Sequence, residues 1–262
     1  MKTRIGIIGG GNMGSAIISG IRKKYALRVC EKDAKRRAFL KDKFRLSAQD
    51  LKTVVESSNV LILAVKPQDF DAILGETKRY ISKRHLVISI AAGITTRYIE
   101  KRLGKGVRVM RTMPNLPAQV GMGMTGICKG KNATRQDAQV TEKLFQRIGF
   151  TIHTDEKFMD AVTAVSGSGP AYVFYFVESF VKAAQRLGFS QKVATGLIMQ
   201  TLRGSLNLLV ASNDDAATLR QKVTSKKGTT EAALKVFQKK DYQVIFSDAL
   251  KAARKRAKEL SK

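Results

Sequence analysis

The pattern of hydrophobic and polar positions divides the chain into two parts. In the first, short apolar runs typical of buried strands alternate with segments whose apolar residues recur at helical spacing. Seven strands are predicted, at residues 4–9, 27–31, 59–65, 86–92, 107–113, 123–128 and 150–154. Helices are predicted at residues 12–24, from residue 33 onward, and at residues 69–82, 95–103 and 134–148. This alternation indicates an α/β fold class: a doubly wound, mostly parallel sheet with helices on both faces.

After Thr154 the pattern predicts helices alone. Apolar positions keep helical spacing, and breaks occur at Gly188, at residues 212–215 and at residues 227–228. We therefore expect a domain boundary near Thr154, with an α/β domain at residues 1–154 and an all-α domain at residues 155–262.

Composition limits the class of protein. Of the 262 residues, 44% are hydrophobic, which is enough for a sizeable core. The two cysteines, Cys30 and Cys128, form no CxxC pair, and the two histidines have no neighbours at metal-ligand spacing. The apolar runs at residues 5–8 and 60–65 are too short for a signal peptide or a membrane span. We expect a cytoplasmic protein with no metal site and no membrane contact.

The formal net charge of +27 raises the question of nucleic-acid binding. The lysines and arginines are scattered, however, and they are not interleaved with aromatic residues that could stack on bases. A generally basic surface explains them better, so no specific nucleic-acid partner is expected.

The first chemical motif is a glycine loop between the first strand and the first helix. Gly9, Gly11 and Gly14 have G-x-G-x-x-G spacing. The first glycine permits a tight turn, the second lets a pyrophosphate approach the backbone, and the third lets helix and strand pack closely. In this position the motif predicts a Rossmann-type dinucleotide site at the helix N-terminus, although an ordinary glycine-rich turn is the alternative.

The acidic residue that dinucleotide-binding folds place at the end of the second strand is Glu31. A carboxylate there accepts hydrogen bonds from the ribose hydroxyls of NADH and repels the 2′-phosphate of NADPH. The cations that follow could hold that phosphate, or could simply pair with Glu31; they are Lys32, Lys35, Arg36 and Arg37. The sequence leaves the form of the cofactor open.

Six stretches are similar to one family. They are "GGGNMGSAI" (9–17), "LAVKPQ" (63–68), "SIAAGI" (89–94), "RTMPNLPAQVGMG" (111–123), "DAVTAVSGSGPAYVF" (160–174) and "LRQKVTSKKGTTEAAL" (219–234). The chain resembles the pyrroline-5-carboxylate reductases over nearly its whole length. The resemblance implies a Rossmann-type domain followed by an all-α dimerisation domain. It also implies reduction of Δ1-pyrroline-5-carboxylate to L-proline by NADPH or NADH, in a homodimer at least and often a decamer.

The resemblance also implies site residues. Those expected to bind the cofactor are Gly9, Gly11, Asn12, Met13, Gly14, Glu31, Ala64, Val65, Lys66, Pro67, Ala91, Ala92 and Gly93. Those expected to contact the substrate are Glu156, Ser166, Ser168, Gly228, Thr229 and Thr230. Thr230 is the catalytic candidate, because its hydroxyl could orient the ring nitrogen or relay a proton from water. Helix capping is the alternative role for both threonines.

The stretch at residues 166–170, Ser-Gly-Ser-Gly-Pro, stands at the head of an apolar helix pattern, where glycine and proline are unfavourable unless a helix begins there. We expect its glycines to let the backbone approach the nicotinamide and its serines to offer hydroxyls. Close packing between helices is the alternative explanation for the glycines.

The substrate loop departs from the family pattern. The family usually has Ser-Pro-Gly-Gly where this chain has Ser225, Lys226, Lys227 and Gly228. Without proline, the backbone at residue 226 has a wider choice of conformations, and without glycine, the backbone at residue 227 has a narrower one. Gly228 is expected to supply a positive φ if one is needed.

Two other functions remain as rivals. The β-hydroxyacid dehydrogenases place a catalytic lysine one turn past a similar glycine-rich helix start, but the equivalent residue here, Val173, carries no acid or base. A dinucleotide-binding protein that binds nucleic acid through its charge would leave the stretches around Ser168 and Thr230 unexplained.

Overall fold

A computed structural model describes residues 3–104 and 106–261. All seven predicted strands are present, with ends shifted by up to three residues. They are β1 (Arg4–Ile8), β2 (Ala26–Cys30), β3 (Val60–Leu63), β4 (Leu86–Ser89), β5 (Arg108–Pro114), β6 (Gly123–Lys129) and β7 (Gly149–His153). The third and fourth strands end earlier than predicted, because the backbone leaves the sheet after Leu63 and Ser89 to form turns.

The strands form one sheet in the order β2-β1-β3-β4-β5-β6-β7. All neighbouring strands are parallel except β5 and β6, which are antiparallel. Every residue of β3 and β4 is buried, as expected for central strands covered on both faces. The predicted α/β fold class is confirmed.

Within the described residues, six α-helices accompany the strands. They are α1 (Asn12–Ile21), α2 (Ala34–Phe44), α3 (Leu51–Glu56), α4 (Phe70–Thr77), α5 (Thr96–Leu103) and α6 (Arg135–Phe145). Asp33 caps α2 by accepting the N–H of Arg36. The sequence pattern missed α3, whose six residues are too few to show a helical period; Asp50 caps it by accepting the N–H of Thr53.

After the last strand, the described residues up to 261 contain helices and no further strand, as predicted. The α-helices are α7 (Met159–Val162), α8 (Gly169–Arg186), α9 (Gln191–Ala211), α10 (Ala216–Lys222), α11 (Thr229–Lys239) and α12 (Tyr242–Glu259). The predicted breaks at 188, 212–215 and 227–228 all fall between helices. The break at Asp241 was not predicted; this residue has a φ of +50°.

The glycine- and proline-rich stretch at 166–170 lies where α8 begins. A π-helical turn, Thr163–Gly167, precedes it, and the N–H of Ser168 donates to the carbonyl of Thr163. Pro170 is the second residue of α8, where its missing N–H costs no helical hydrogen bond. Single π-turns inside helices occur often at functional sites.

Contacts divide the chain into two compact units. Unit 1 comprises residues 1–170 and 252–262, and unit 2 comprises residues 171–251. This division by contacts lies after the change from mixed to all-helical structure, which follows His153. The domain boundary expected near Thr154 stays a prediction.

None of the helices in the described part of the chain is long and apolar enough to span a membrane.

Candidate cofactor and substrate site

Four segments of the predicted cofactor site follow four adjacent parallel strands. The glycine loop follows β1, Glu31 follows β2, residues 64–67 follow β3, and residues 91–93 lie just after β4. Because the carboxyl ends of parallel strands meet at one sheet edge, the fold brings these segments together. In the sheet, β2 lies on one side of β1 and β3 lies on the other. The strand order therefore reverses between β1 and β3, and sheets of this kind bind ligands at such a topological switch point.

The glycine loop has the shape that a dinucleotide pyrophosphate requires. Gly9 has a φ of +104°, and a Cβ there would stand 2.5 Å from the carbonyl oxygen of Ala64. A Cβ on Gly14 would stand 2.2 Å from the carbonyl oxygen of Gly9. Gly11 is the N-cap residue of α1 and has no side chain to cover the first N–H groups of the helix, those of Asn12 and Met13. These donors and the helix dipole fit a bound phosphate, so the geometry favours the dinucleotide loop over an ordinary turn.

Glu31 is bound to the glycine loop. Its side chain is buried; one carboxylate oxygen accepts the N–H of Gly10 at 2.6 Å and the other accepts the N–H of Asp33 at 2.8 Å. No ion pair of Glu31 occurs among the described residues. The alternative that Glu31 merely pairs with the cations that follow it is therefore wrong.

Three of the four cations after Glu31 have partners or neighbours that distinguish them. Lys32 pairs with Asp69 at 3.0 Å. Arg37 donates to the carbonyl oxygen of Lys32 at 2.9 Å. The guanidinium of Arg36 instead lies over the glycine loop, with Nη1 3.1 Å from the point where a Cβ on Gly11 would stand. Arg36 was not singled out among the predicted site residues, because sequence alone does not show which of several neighbouring cations faces the loop.

A cavity of about 450 Å³ opens beside the glycine loop and is lined in part by Gly10, Gly11, Asn12 and Arg36. Its lining therefore combines residues of the glycine loop with a basic side chain. A concave space with a small number of polar groups directed into it is typical of a cofactor site.

The turns after β3 and β4 are the remaining segments of the predicted cofactor site. A Cβ on Gly9 would stand 2.5 Å from the carbonyl oxygen of Ala64, and one on Gly14 would stand 3.5 Å from the Cβ of Ala64, so the 64–67 turn lies against the glycine loop. Lys66 then begins a short 3-10 turn, Pro67–Asp69, while Val65 packs against the core. In the turn after β4, Ala91 is buried, Ala92 follows it, and Gly93 has a φ of +72°.

Glu156, a predicted substrate contact, has other partners in the structure. Its carboxylate accepts the N–H and the hydroxyl of Thr96 at 2.8 and 2.5 Å, in the first turn of α5. It also pairs at 3.3 Å with Arg111, which is buried and pairs with Asp160 as well. This arrangement supports a role in fixing α5 and β5 better than contact with substrate.

The serines of the 166–170 stretch differ from each other. The side-chain amide of Asn115 donates to the hydroxyl oxygen of Ser166 at 3.3 Å and to its carbonyl oxygen at 3.1 Å. Ser168 is half-buried and bonds through its backbone. A Cβ on Gly167 would stand 2.5 Å from the terminal methyl group of Met113, a flexible side chain that could shift, and one on Gly169 would meet nothing within 4 Å. Neither glycine is therefore required by close packing within this chain.

The predicted substrate loop is a tight turn before α11. The N–H of Gly228 donates to the carbonyl of Ser225 at 3.0 Å, and of the two central residues only Lys227 has a positive φ, +62°. These are the features of a type II turn, which favours proline at its second position and glycine at its third. The expectation that Gly228 supplies the positive φ is therefore wrong: Lys227 adopts it, and Gly228 has a φ of −85°.

Gly228 nevertheless has little space for a side chain. A Cβ there would stand 2.3 Å from the hydroxyl oxygen of Ser225 and 3.1 Å from its carbonyl oxygen. Gly228 is the N-cap of α11 and has no side chain, so it leaves the N–H groups of Thr229 and Thr230 available to an anion. The capping role considered for the two threonines is wrong, since they are the first two residues of the helix.

Glu231 stabilises this turn from the first turn of α11. It pairs with Lys235 at 2.6 Å and accepts the N–H of Lys227. The hydrogen bond from Lys235 and then that from Lys227 hold the pKa of the Glu231 carboxyl below its ordinary value. The carboxylate therefore stays charged at neutral pH and holds the loop backbone.

The thiols are not candidates for catalysis. Burial raises the pKa of Cys128 to about 12 and, with the nearby Glu76, raises that of Cys30. Both are therefore protonated and unreactive at neutral pH. Within the described residues, no group of three or more histidines, cysteines, aspartates or glutamates could hold a metal ion.

Comparison with known proteins matches both halves of this arrangement. Residues 156–260 match the family model for pyrroline-5-carboxylate reductase dimerisation. Residues 4–93, which include the glycine loop and the turns at 64–67 and 91–93, match the model described as NADP oxidoreductase coenzyme F420-dependent.

Individual relatives match over the full chain. The pyrroline-5-carboxylate reductase of Mycobacterium leprae is 35% identical, covering 98% of this chain and 96% of the relative. A pyrroline-5-carboxylate reductase structure from Coxiella burnetii has a TM-score of 0.91 at 36% identity and covers 100% of both chains. The Plasmodium falciparum pyrroline carboxylate reductase, solved with NADP bound, has a TM-score of 0.88 at 28% identity, covering 99% and 98%. The chain belongs to the pyrroline-5-carboxylate reductase family.

Proposed function

We propose that this protein reduces Δ1-pyrroline-5-carboxylate to L-proline, the last step of proline biosynthesis, with NADPH or NADH as the hydride donor. The observation that carries the proposal is the glycine loop, whose uncapped N–H groups lie at the switch point of the sheet and fit a dinucleotide. It occurs in a chain that the family's reductases match from end to end.

The cofactor residues have defined tasks in this proposal. The N–H groups after Gly11 bind the pyrophosphate, and the turns at residues 64–67 and 91–93 border the cofactor along the same sheet edge. NAD(P)H supplies the hydride when bound, so the protein needs to bind, orient and exclude water rather than provide a redox group.

The substrate carboxylate is assigned to the turn before α11. The exposed side chains of Lys226 and Lys227 and the N–H groups of Thr229 and Thr230 place positive charge and donors there. The hydroxyl of Thr230 orients the ring nitrogen or relays a proton to it from water, since a threonine hydroxyl is too weak an acid to protonate it directly. Ser166 and Ser168 are proposed as polar groups near the reacting ring. Glu156 is retained as a substrate contact, but it is the residue with the least support.

We also propose a homodimer as the smallest working unit, with a decamer as the larger assembly. α9 has 21 residues, of which only Ala194 and Ile198 are buried, while large apolar side chains such as Leu206 are exposed. A cavity of about 940 Å³ within unit 2 has an apolar lining that includes Phe176, Phe180 and Phe237. Such helices gain stability by burying these surfaces against another subunit.

The proposed location is the cytoplasm, in keeping with the two free thiols, Cys30 and Cys128.

One assay tests the activity against its rivals. Oxidation of NADPH and of NADH is followed at 340 nm with pyrroline-5-carboxylate and without substrate. In a separate sample, reduction of NADP+ and of NAD+ by a β-hydroxyacid is followed at the same wavelength. We expect turnover with the imine alone, and formation of proline by amino-acid analysis. Turnover of the hydroxyacid, or cofactor binding without imine reduction, would contradict the proposal. Sedimentation of the same sample tests the dimer, which a monomer at assay concentration would exclude.

A further inference from the structure

The segment at residues 257–261 packs against one turn of the candidate cofactor site. We propose that Asp160 and Ser261 are positioning residues: their side chains hold this segment against the turn at residues 91–93, and so fix the surface that the nicotinamide end of the cofactor meets. Both act through the backbone of Leu260 rather than by contact with the cofactor. This inference rests on the proposed binding of NADPH or NADH at the carboxyl edge of the sheet.

The turn at residues 91–93 lies on the side of the glycine loop away from Glu31. In the strand order β2-β1-β3-β4, Glu31 is one strand from the loop on one side, and this turn is two strands from it on the other. Neighbouring strands are about 4.8 Å apart, so the turn is about 10 Å from the loop across the sheet. A dinucleotide with its pyrophosphate at the loop and its adenosine ribose near Glu31 therefore extends its nicotinamide toward this turn.

The backbone of Leu260 and Ser261 lies directly behind Gly93, and all three belong to unit 1. Gly93 is buried, and a Cβ there would stand 2.7 Å from the carbonyl oxygen of Leu260 and 3.3 Å from the nitrogen of Ser261. The atoms that limit the space are backbone atoms, which cannot turn aside as the end of a flexible side chain can. Ala92, next in the turn, is only half-buried, so the turn keeps one accessible residue for a ligand.

One hydroxyl joins this segment to the helix that follows β7. The hydroxyl of Ser261 lies 3.3 Å from a carboxylate oxygen of Asp160, which is part of α7, and 3.0 Å from the carbonyl oxygen of Ala257. The bond to Ala257 is local, whereas the bond to Asp160 crosses 101 positions of sequence. Ala257 is itself buried, so the segment is packed as well as hydrogen-bonded. The contact with Asp160 therefore sets where Leu260 and Ser261 lie.

A buried arginine fixes the same carboxylate from β5. Asp160 pairs with Arg111 at 3.3 Å, and Arg111 also pairs with Glu156 at 3.3 Å. Glu156 in turn accepts the N–H and the hydroxyl of Thr96, three residues after Gly93. A buried charge needs such partners, and removal of one leaves the other without compensation. One network therefore reaches both the segment behind the turn and the helix that follows it.

The position of the turn matters because hydride transfer needs the nicotinamide and the imine in close alignment. A displacement of about 1 Å can lower a rate about a hundredfold. Loss of the contact between Asp160 and Ser261 lets the backbone of Leu260 move away from Gly93, so the turn loses its support. The adenosine half of the cofactor, bound at the glycine loop, does not depend on this contact.

The test compares the whole cofactor with a fragment that lacks the nicotinamide ring. NADH, NADPH and ADP-ribose are titrated by calorimetry into the wild type, Asp160→Ala, Ser261→Ala and the double variant. The kcat for pyrroline-5-carboxylate is measured at saturating cofactor, and denaturant unfolding gives the stability of each variant. Asp155→Ala is the matched control, because it removes a carboxylate that is 76% exposed and does not cap the 3-10 turn that follows it.

We expect Asp160→Ala to weaken NADH and NADPH by about three- to tenfold, the range for one hydrogen bond, and ADP-ribose by less than about twofold. Its kcat should fall by about ten- to a hundredfold. Ser261→Ala should change the same quantities in the same direction, but less. The double variant should lose no more than Asp160→Ala, because the hydroxyl has already lost this partner there. Asp155→Ala should resemble the wild type.

Equal losses for the whole cofactor and ADP-ribose, no loss in either single variant, additive losses in the double variant, or an equal effect of Asp155→Ala would overturn the inference. If Asp160→Ala does not fold, Ser261→Ala decides, because it leaves the pair of Asp160 and Arg111 intact. A wild type that binds neither NADH nor NADPH would refute the proposed function and this inference with it. A wild type that binds them but does not reduce the imine would refute the proposed reaction alone, and the binding comparison would still decide the inference.

Discussion

The backbone N–H of Gly10 donates to the buried carboxylate of Glu31 at 2.6 Å, across 21 positions of sequence. This bond joins the end of β2 to the glycine loop after β1. One side chain therefore shapes the glycine loop and, in the proposed cofactor complex, also sets the charge that the ribose meets.

The first prediction concerns cofactor form. We expect the wild type to use NADH at least comparably to NADPH, and Glu31→Asn to shift the ratio of kcat/KM toward NADPH. A carboxylate near a 2′-phosphate costs on the order of 1 kcal/mol even at a high effective dielectric, or about fivefold in affinity.

Glu31→Gln is the matched control for that experiment, because its amide oxygen can still accept the N–H of Gly10. Both variants should shift the ratio in the same direction if charge is the cause. A strong preference of the wild type for NADPH, or an unchanged ratio in both variants, would contradict the prediction.

The second prediction separates two glycines of one motif. Gly11→Val should abolish cofactor binding and leave the fold largely intact, because a Cβ there meets only the mobile end of Arg36. Gly14→Ala should instead destabilise the fold by about 1–3 kcal/mol or more, since its Cβ would stand 2.2 Å from the backbone oxygen of Gly9. Fluorescence titration of cofactor and denaturant unfolding measure the two effects; unchanged affinity in Gly11→Val would remove Gly11 from the phosphate loop.

The sequence predicts the sheet well because buried parallel strands are uninterrupted apolar runs, as in β3 and β4, and because the glycine spacing is tied to a strand and a helix. It also predicts which segments share the carboxyl edge. It does not predict that Glu31 binds Gly10 and Asp33, that the guanidinium of Arg36 lies over the glycine loop, or that Glu156 binds Thr96 at the start of α5. Those outcomes depend on side-chain directions after folding, which no local spacing specifies.

The third prediction concerns Thr230, the second residue of α11. Thr230→Ala should lower kcat by about ten- to a thousandfold, near the usual range for a group positioned for proton transfer. Thr230→Ser should keep much more activity, because it retains the hydroxyl. The comparison is made by steady-state kinetics at saturating cofactor. If the alanine and serine variants behave alike, the hydroxyl is not the feature that matters.

The fourth prediction concerns pH and His85. This histidine is buried, with Nδ1 accepting the N–H of Ser82 at 2.9 Å, and burial lowers its pKa below the ordinary value of 6.5. A lowered pKa in the folded state means that the unfolded chain binds the proton more tightly. The stability that this contributes is fully present above pH 6.5 and is lost as the pH falls through the folded pKa.

Unfolding by denaturant at several pH values between about 7.5 and 5.5 tests the assignment to His85. His85→Gln should reduce the loss of stability over this window, whereas His153→Gln, which changes a half-exposed histidine, is the control. An unchanged pH dependence in His85→Gln would assign the effect to other groups.

The last prediction concerns Lys227, which has a φ of +62° at the third position of the turn before α11. The left-handed region costs a side-chain-bearing residue about 1–2 kcal/mol. Glycine avoids that cost but loses about 0.5–1 kcal/mol through the greater freedom of the unfolded chain. Lys227→Gly should therefore stabilise the protein by up to about 1.5 kcal/mol, whereas Lys226→Gly, without a positive φ to relieve, should not. If Lys227 also attracts the substrate carboxylate, the same variant should raise KM for pyrroline-5-carboxylate and leave KM for the cofactor unchanged. Denaturant unfolding and steady-state kinetics on the two variants measure both effects, and a loss of stability in Lys227→Gly would show that the turn is not strained there.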